Sequence, residues 1–272
     1  MGKFFKARNK AASSLAVAPL AEVGSESPAG VAPHLVPLLT PTAFEAEPYR
    51  VLGHLIAQLH TDPGLRVLGI SSPSMGDGKT STALNLAGVL AQQHTVRVLL
   101  VEAELRRPVI AEYLGIRHAS AGLAGAILEP TLSFESVVQH YQPFNFDVML
   151  AGRALASPYD VLKLPRFSAL LQEARQHYDY VVVDTPPLLP FADCRLIERW
   201  IDGLLVVIAA HQTPRRLLAE ALDGTDPTKL VGLVLNKDDH QALQYSHAYY
   251  YYTPSPNRPH KGGRASRQHR LR

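Results

Sequence analysis

One short stretch, residues 70–82, limits the possible folds of this chain more than any other feature. It reads Ile-Ser-Ser-Pro-Ser-Met-Gly-Asp-Gly-Lys-Thr-Ser-Thr and lies between an apolar run of strand length at residues 66–70 and a run with helical spacing at residues 84–90. Gly76 and Gly78 allow consecutive backbone N–H groups to point inward beside the N-terminus of the helix, an arrangement that binds anions. We therefore predict a phosphate-binding loop between a strand and a helix.

The residues of this loop have the chemistry of a nucleotide site. Lys79 would reach the outer phosphates, and the Thr80 hydroxyl would help to hold a magnesium ion. The general pattern Gly-x-x-x-x-Gly-Lys-[Ser/Thr] requires glycine where this chain has Pro73, so the loop belongs to a deviant subclass or is impaired. A glycine turn before a buried helix is the alternative. The predicted nucleotide-binding residues are Ser74, Gly76, Asp77, Gly78, Lys79, Thr80, Ser81 and Asn236.

Further apolar runs alternate with helical segments along the chain. The runs of strand length cover residues 97–102, 147–150, 178–184, 203–209 and 231–236. Continuous Val, Leu and Ile strands that alternate with amphipathic helices predict an α/β fold with a mostly parallel sheet covered by helices on both faces. Ligands in such sheets bind at the carboxyl ends of the strands. The polar residues that we expect beside the loop at this edge are Glu102, Glu104, Asp184 and Asn236.

Composition narrows the possible location and partners. The single cysteine, Cys194, excludes an internal disulfide and fits a reducing compartment, and Cys and His are too scattered for a zinc site. No apolar run approaches the roughly 18 to 20 residues that span a bilayer, and the start lacks the apolar core of a signal peptide. The net charge of +3 is too small to indicate nucleic-acid binding. We predict a cytoplasmic protein whose membrane association is indirect.

The pattern divides the chain into three parts. Residues 1–43 are rich in Ala, Pro, Ser and Gly and predict a disordered arm. Residues 44–243 form the predicted phosphate-loop domain, which begins with a helix over residues 47–59 that has Pro48 in its first turn. Residues 244–272 predict a flexible tail that combines a tyrosine cluster with basic residues.

Together these motifs resemble those of the bacterial tyrosine kinases (BY-kinases) of capsule and exopolysaccharide synthesis, over about residues 34–253. The loop of that family reads Thr-Ser-x-x-Pro-Gly-Glu-Gly-Lys-Ser, which residues 71–80 follow closely except that Met75 replaces proline. Its Walker A-prime motif is Asp-x-Asp-x-Arg at a strand end, where residues 102–106 read Glu-Ala-Glu-Leu-Arg. Its Walker B motif is similar to residues 181–187, Val-Val-Val-Asp-Thr-Pro-Pro.

The resemblance implies a P-loop NTPase fold with deviant Walker motifs, shared with MinD and ParA, and the cofactors ATP and Mg²⁺. It implies that Thr80, Glu104 and Asp184 support the metal. Glu102 would accept the proton of the incoming tyrosine hydroxyl. The implied catalytic residues are Lys79, Glu102, Glu104 and Asp184.

The resemblance also implies a substrate and partners. The kinase would phosphorylate the tail tyrosines of neighbouring copies, at Tyr245, Tyr249, Tyr250, Tyr251 and Tyr252. Glu47 and Arg50 match the Glu-x-x-Arg-x-x-Arg helix through which the family forms homo-oligomers, although Gly53 replaces the last arginine. The implied partner is a membrane-embedded polysaccharide chain-length regulator or co-polymerase, which would hold the kinase at the inner face of the plasma membrane.

The longer side chains of Glu102 and Glu104 leave a second interpretation open. Glutamate extends its carboxylate by roughly 1.5 Å relative to aspartate, and a misplacement of about 1 Å can reduce a rate about 100-fold. The protein could therefore be a degenerate kinase, a nucleotide-binding structural partner of a polysaccharide export complex. Either glutamate could also be an ordinary solvated acid at a strand end.

Two other nucleotide-binding classes are alternatives. Residues 236–239, Asn-Lys-Asp-Asp, spell the guanine-reading pattern of GTPases, but Pro187 stands where a GTPase switch would have glycine. A MinD or ParA-like ATPase would share the sheet and the deviant loop. Those loops carry a lysine near their start, where this chain has Ser74.

Overall fold

A computed structural model describes residues 30–60, 64–93, 95–117 and 121–238. Its strands are β1 (Val67–Ser71), β2 (Val98–Glu102), β3 (Gln139–Tyr141), β4 (Phe146–Met149), β5 (Tyr180–Asp184), β6 (Gly203–Ala209) and β7 (Leu230–Asn236). The helices are α1 (Val36–Leu39), α2 (Glu47–Leu59), α3 (Lys79–Ala91), α4 (Ile110–Tyr113), α5 (Gly122–Leu128), α6 (Phe134–Val137), α7 (Pro158–Leu162), α8 (Pro165–His177), α9 (Asp193–Glu198) and α10 (Arg215–Asp223). None of the helices in these ranges is long and apolar enough to cross a membrane.

The strands form one seven-stranded sheet in the order β3-β4-β2-β5-β1-β6-β7. Every neighbouring pair is parallel except β3 and β4. The prediction of a mostly parallel sheet is confirmed. Strand β3 was not predicted, because its three residues, Gln-His-Tyr, carry no apolar run and remain partly exposed at the sheet edge.

Both faces of the sheet are covered, as the apolar strands predict. Along β2, Val98 and Leu100 point into one core with helices α1 to α4, whereas Leu99 and Val101 point into the other core with α5 to α10. All four side chains are at most 2% exposed. This double burial explains why the central strands lack the alternation of apolar and polar residues that a half-exposed strand shows.

The domain begins earlier than the sequence predicted. Residues 30–43 were placed in a disordered arm, but they include α1, and Leu35 and Leu38 are buried in the core. Leu38 lies so close to Gly88 of α3 that a Cβ atom there would be 1.9 Å from it. The prediction was wrong for this part because a four-residue helix shows no sustained period. Residues 1–29 and the tail 244–272 lie outside the described residues.

The order of the strands brings three loops together at one edge. The carboxyl end of β5 is flanked by β1 on one side and β2 on the other, and Asp184 is in register with both Ile70 and Glu102. The loops that follow β1, β2 and β5 therefore start side by side. This edge contains the site.

Candidate active site

The loop between β1 and α3 has the curled backbone that the sequence predicted. Gly76 and Gly78 have φ values of +90° and +102°, which side-chain-bearing residues rarely adopt. At Gly78 space is also limiting, because a Cβ atom would lie 2.0 Å from the Asn236 side-chain nitrogen. Gly76 is thus required for its backbone conformation alone. Gly78 is required both for its conformation and because Asn236 leaves no space for a side chain.

Lys79 and Thr80 begin α3 and face the carboxylates of the neighbouring strands. Lys79 Nζ lies 3.7 Å from Glu104 Oε2 and 3.9 Å from Asp184 Oδ1. Thr80 Oγ1 donates a 2.9 Å hydrogen bond to Asp184 Oδ2. The cation, the hydroxyl and the two carboxylates meet at the base of the loop, where the sequence placed the outer phosphates and the metal.

Asp184 has an oxygen that suits a metal ion. Its Oδ1 atom is buried and accepts no hydrogen bond, and burial raises the pKa of the carboxyl to about 6 against the opposing effects of Lys79 and Thr80. A buried oxygen without a donor is a ready ligand for Mg²⁺, which is commonly held by one or two carboxylates, substrate phosphates and water. Among the described residues no three His, Cys, Asp or Glu side chains form a metal cage. The oxygen donors Thr80 and Asp184 therefore fit a magnesium ion whose shell a nucleotide would complete.

The Glu102 carboxylate is bound to backbone N–H groups and does not face the site. Its Oε1 accepts hydrogen bonds from the backbone N–H groups of Val109 and Ile110, both at 2.7 Å, and its Oε2 accepts one from Ala151 at 3.0 Å. The side chain is 1% exposed, and burial raises the pKa of its carboxyl although the three N–H groups oppose this. Both oxygens are thus occupied by the main chain, so in this conformation Glu102 is not open to a tyrosine hydroxyl.

Glu104 presents one oxygen to the site. Its Oε1 accepts from the backbone N–H of Arg106 at 3.1 Å and of Arg107 at 3.4 Å, while Oε2 faces Lys79. The residue is 5% exposed. The alternative that Glu102 or Glu104 is an ordinary solvated acid is wrong, since both are buried and hydrogen-bonded.

Asp77 and Ser74 shape the loop from within. Asp77 Oδ2 accepts from the Ser74 N–H at 3.1 Å and from its hydroxyl at 3.3 Å, and Asp77 Oδ1 accepts from the Thr213 hydroxyl at 2.8 Å. Ser81 lies in the first turn of α3 and is half-buried. The contribution of Thr213 was missed, because a lone threonine after a strand has no sequence signature.

The end of β7 closes the loop from the other side. Asn236 donates from its side-chain nitrogen to the Asp77 carbonyl at 2.9 Å, and Lys237 donates to the Gly76 carbonyl at 2.8 Å. Asn236 thus lies at the predicted edge. Its amide and the neighbouring ammonium group are held against the loop backbone, whereas Asp239 of the guanine-reading pattern lies outside the described residues.

An ion pair that sequence reasoning did not identify ties the loop after β2 to the chain after β5. Arg106 binds Asp193 through two hydrogen bonds, 2.7 Å from Nε and 3.2 Å from Nη2, and its guanidinium lies 4.1 Å from the centre of the Phe191 ring. Asp193 is 1% exposed. Arg106 belongs to the A-prime motif, and Asp193 follows Walker B. Because the two residues are 87 positions apart, the sequence did not indicate that they are in contact.

The predicted oligomerisation residues pair within one chain. Arg50 donates to the Glu47 carboxylate and to the Pro41 carbonyl on the surface of α2. Gly53, where the resemblance would place another arginine, is buried against α3, and a Cβ atom there would lie 2.8 Å from Val89 Cγ1. The tail tyrosines 245, 249, 250, 251 and 252 lie outside the described residues.

Comparison with known proteins agrees with this geometry. The sequence profile of the family described as an AAA domain matches residues 65–212. The tyrosine-protein kinase YwqD of Bacillus subtilis (strain 168) is 31% identical over 205 residues, which cover 75% of this chain and 85% of YwqD. The chain belongs to the bacterial tyrosine kinase family. The BY-kinase resemblance drawn from the motifs is confirmed.

Two further matches differ in how much of the matched protein the chain covers. The kinase domain of Escherichia coli tyrosine kinase ETK superposes with a TM-score of 0.68 at 26% identity, covering 77% of this chain and 81% of that domain. The succinoglycan biosynthesis transport protein ExoP of Rhizobium meliloti (strain 1021) is 29% identical over 209 residues, which cover 75% of this chain but 26% of ExoP. The chain thus matches nearly all of some relatives and about a quarter of others.

The MinD and ParA group shares the fold. MinD of Pyrococcus horikoshii OT3 has a TM-score of 0.52 at 17% identity, covering 66% of this chain and 76% of MinD. That identity shows the fold alone. The predicted P-loop NTPase fold of MinD and ParA type is confirmed, and the kinase comparisons favour the BY-kinase function over a partitioning ATPase.

Proposed function

We propose that this protein is an ATP-dependent protein-tyrosine autokinase that phosphorylates its carboxyl-terminal tyrosine cluster and thereby regulates the polymerisation and export of a capsular or extracellular polysaccharide. The observation that carries the proposal is the meeting of Lys79, Thr80, Glu104 and Asp184 at the phosphate-binding loop of a BY-kinase fold. Phosphoryl transfer depends on positioning and on neutralising phosphate charge, and this edge offers both.

The proposed cofactors are ATP and Mg²⁺. The loop amides and Lys79 would hold the phosphates, and Thr80 and Asp184 would hold the metal, with Glu104 close to its shell. When bound, Mg²⁺ neutralises charge on the phosphate oxygens. Lys79 would exchange its contacts to Glu104 and Asp184 for the phosphates, because those contacts, at 3.7 and 3.9 Å, are too long to be hydrogen bonds.

We propose different roles for Glu102 and Glu104, because their hydrogen bonds differ. Glu102 is proposed as a positioning residue that fixes the start of α4 and the segment after β4 through three N–H groups. Glu104 is proposed as the carboxylate that serves the transfer, since its Oε2 faces the site. This changes the role expected for Glu102, which would have to release a buried hydrogen bond in order to accept a proton from tyrosine.

The proposed partner is a membrane-embedded polysaccharide chain-length regulator or co-polymerase. The name of ExoP, a relative of about four times the matched length, connects the family to polysaccharide transport. We propose that the kinase works in the cytoplasm at the inner face of the plasma membrane through such a partner, and that it forms homo-oligomers in which one copy phosphorylates another.

Mass spectrometry of residues 245–252 after incubation with ATP and Mg²⁺ tests this function. We expect phosphate on the tyrosine cluster of the wild-type protein and none on Lys79→Ala, because that variant lacks the cation at the phosphates. Phosphate that persists in Lys79→Ala would refute autophosphorylation. If the wild type gains no phosphate and the Glu102→Asp/Glu104→Asp double variant does, the protein is a degenerate kinase.

Competition between ATP and GTP tests the nucleotide. Asn236 and Lys237 are both held against the carbonyls of the phosphate loop, so the guanine-reading alternative has a structural counterpart in two of its residues. We expect ATP to displace a labelled adenine nucleotide at lower concentration than GTP does. Tighter binding of GTP would favour the GTPase alternative over the kinase.

A further inference from the structure

A second cleft lies at the end of the sheet opposite to the phosphate loop. It has a volume of about 620 Å³, within the range of small-ligand sites, and its lining includes Gln172, Arg175, Arg199, Trp200, Thr228 and Lys229. These residues surround the amino ends of β1, β6 and β7. Since β1 has five residues, the cleft lies about 16 Å or more from the nucleotide edge.

The acidic side chain in the lining of this cleft is already neutralised. Asp202 pairs with Arg175 at 2.7 Å and also accepts from the backbone N–H groups of Arg66 at 2.9 Å and Val67 at 2.7 Å. Its two oxygens are therefore occupied by one guanidinium and two amides. Asp202 therefore offsets the charge of Arg175 and makes no ion pair with Arg199.

One cation of the cleft, Arg199, remains available to an anion. Lys229 donates to the carbonyls of Glu198 at 2.6 Å and Ile201 at 3.1 Å, and its charge also helps to lower the pKa of the Asp226 carboxyl, so Lys229 is already engaged. Arg199 is exposed, and its guanidinium makes no hydrogen bond or ion pair within the part of the chain that the structure describes. An uncommitted guanidinium favours a group that accepts two parallel hydrogen bonds, such as a phosphate.

An aromatic side chain lines the same cleft as this guanidinium. Trp200 is 40% exposed and lines the same cleft as Arg199. An exposed indole favours stacking with another ring. A cleft lined by both an exposed indole and an arginine suits a ligand that is itself an aromatic ring bearing an anion.

The chain supplies such a ligand within reach. Strand β7 runs from the cleft, at Thr228 and Lys229, to the phosphate-loop edge, and the tyrosine cluster follows it. The eleven residues that follow Asp238, up to Tyr249, can extend to about 36 Å, whereas the seven residues of β7 span about 23 Å. A tail tyrosine of the same copy can thus return along β7 to the cleft, and a tail of a second copy can enter it directly.

We propose that this cleft binds a phosphorylated tyrosine of the carboxyl-terminal cluster, with Arg199 pairing with the phosphate and Trp200 stacking on the ring. This rests on the proposed function, because the autokinase reaction produces that ligand. The cleft would hold the modified tail away from the nucleotide edge, so that the product of one transfer does not block the next.

Tryptophan fluorescence tests the proposal without requiring the kinase to be active. Trp200 is the only tryptophan of the chain, and residues 244–253 contain none. Phosphatase-treated full-length protein is titrated with a synthetic peptide of residues 244–253 that carries phosphate on Tyr249, with the unphosphorylated peptide, and with inorganic phosphate. Because the phosphate is supplied by synthesis, a negative result here would not bear on autophosphorylation.

We expect a saturable change of fluorescence with the phosphopeptide and at least about tenfold weaker binding in Arg199→Gln, which loses the charge-assisted contacts. Arg195→Gln makes the same charge change one helical turn away, outside the lining, and should bind within about twofold of the wild type. Equal binding of the unphosphorylated peptide or of inorganic phosphate, or equal affinity in Arg199→Gln, would refute the assignment.

Discussion

The loops after β1 and β2 lie side by side at the same edge and are built in opposite ways. The loop after β1 brings Lys79 toward Glu104 and Asp184 and depends on two glycines with positive φ. The loop after β2 relies on two buried carboxylates, and one of these, Glu102, uses both oxygens to bind main-chain amides.

This difference shows why the two motifs tolerate change differently. The first loop depends on the shape of its backbone, so we expect any replacement of its glycines to cost stability. In the second loop the position of each carboxylate depends on the length of its side chain. A longer side chain can place the carboxylate beside different hydrogen-bond donors. The extra carbon of Glu102 relative to aspartate is accommodated by the N–H groups of Val109, Ile110 and Ala151.

The largest expected effect separates Glu104 from Glu102. We predict that Glu104→Gln lowers the rate of tyrosine phosphorylation by about 100-fold or more, because a neutral amide cannot serve the transfer as the proposed carboxylate does. Its Oε1 contacts to the Arg106 and Arg107 N–H groups can survive, so folding should change little. The rate is measured by incorporation of labelled phosphate. Near-normal activity of Glu104→Gln would invalidate the division of roles between the glutamates.

Glu102→Gln should act on stability instead. The amide can keep the two bonds at Oε1, but its NH₂ group would then face the Ala151 N–H, leaving a buried donor against a donor. We predict a loss of about 2 to 3 kcal/mol in the free energy of unfolding, measured in urea. Glu104→Gln is the matched control. Unchanged stability of Glu102→Gln together with lost activity would restore Glu102 as the proton acceptor.

The protonation of Asp184, at the end of β5 between the two loops, should make stability depend on pH. Folding raises its pKa from 3.8 to about 6, chiefly through burial, so the protonated form is favoured in the folded state. The free protein should therefore lose about 2 kcal/mol of stability as the pH rises from 4 to 6.5, relative to Asp184→Asn. Urea unfolding at several pH values without nucleotide or metal measures this. Parallel pH profiles of the two proteins would contradict the raised pKa.

The smallest effect compares the two loop glycines. Both have positive φ, but a Cβ atom on Gly76 meets nothing within 4 Å, whereas on Gly78 it meets Asn236 at 2.0 Å. We predict that Gly76→Ala costs about 1 kcal/mol and Gly78→Ala about 1 kcal/mol more. Adding Asn236→Ala should recover part of the Gly78→Ala loss in thermal unfolding. Equal losses at both positions would show that Asn236 does not restrict the loop.

Several elements of the structure follow from local sequence. Strand β6 and helix α2 have the predicted bounds, because the first is a continuous apolar run and the second has Pro48 at its start. The loop was identified because Gly-Lys-Thr at a strand-to-helix junction has a specific chemistry. Strand β3 and helix α1 were missed, since three or four residues carry too little periodicity to show a pattern.

The sequence by itself determined the fold, the family and the residues that meet at the phosphate loop, because these depend on apolar runs and motifs that are local in the chain. Only the tertiary structure decided which groups each carboxylate contacts. The partners of Glu102, the pairing of Arg106 with Asp193, and the cleft around Arg199 and Trp200 join segments that are distant in sequence. Those contacts depend on side-chain length and burial in the folded protein, which a linear sequence pattern does not show.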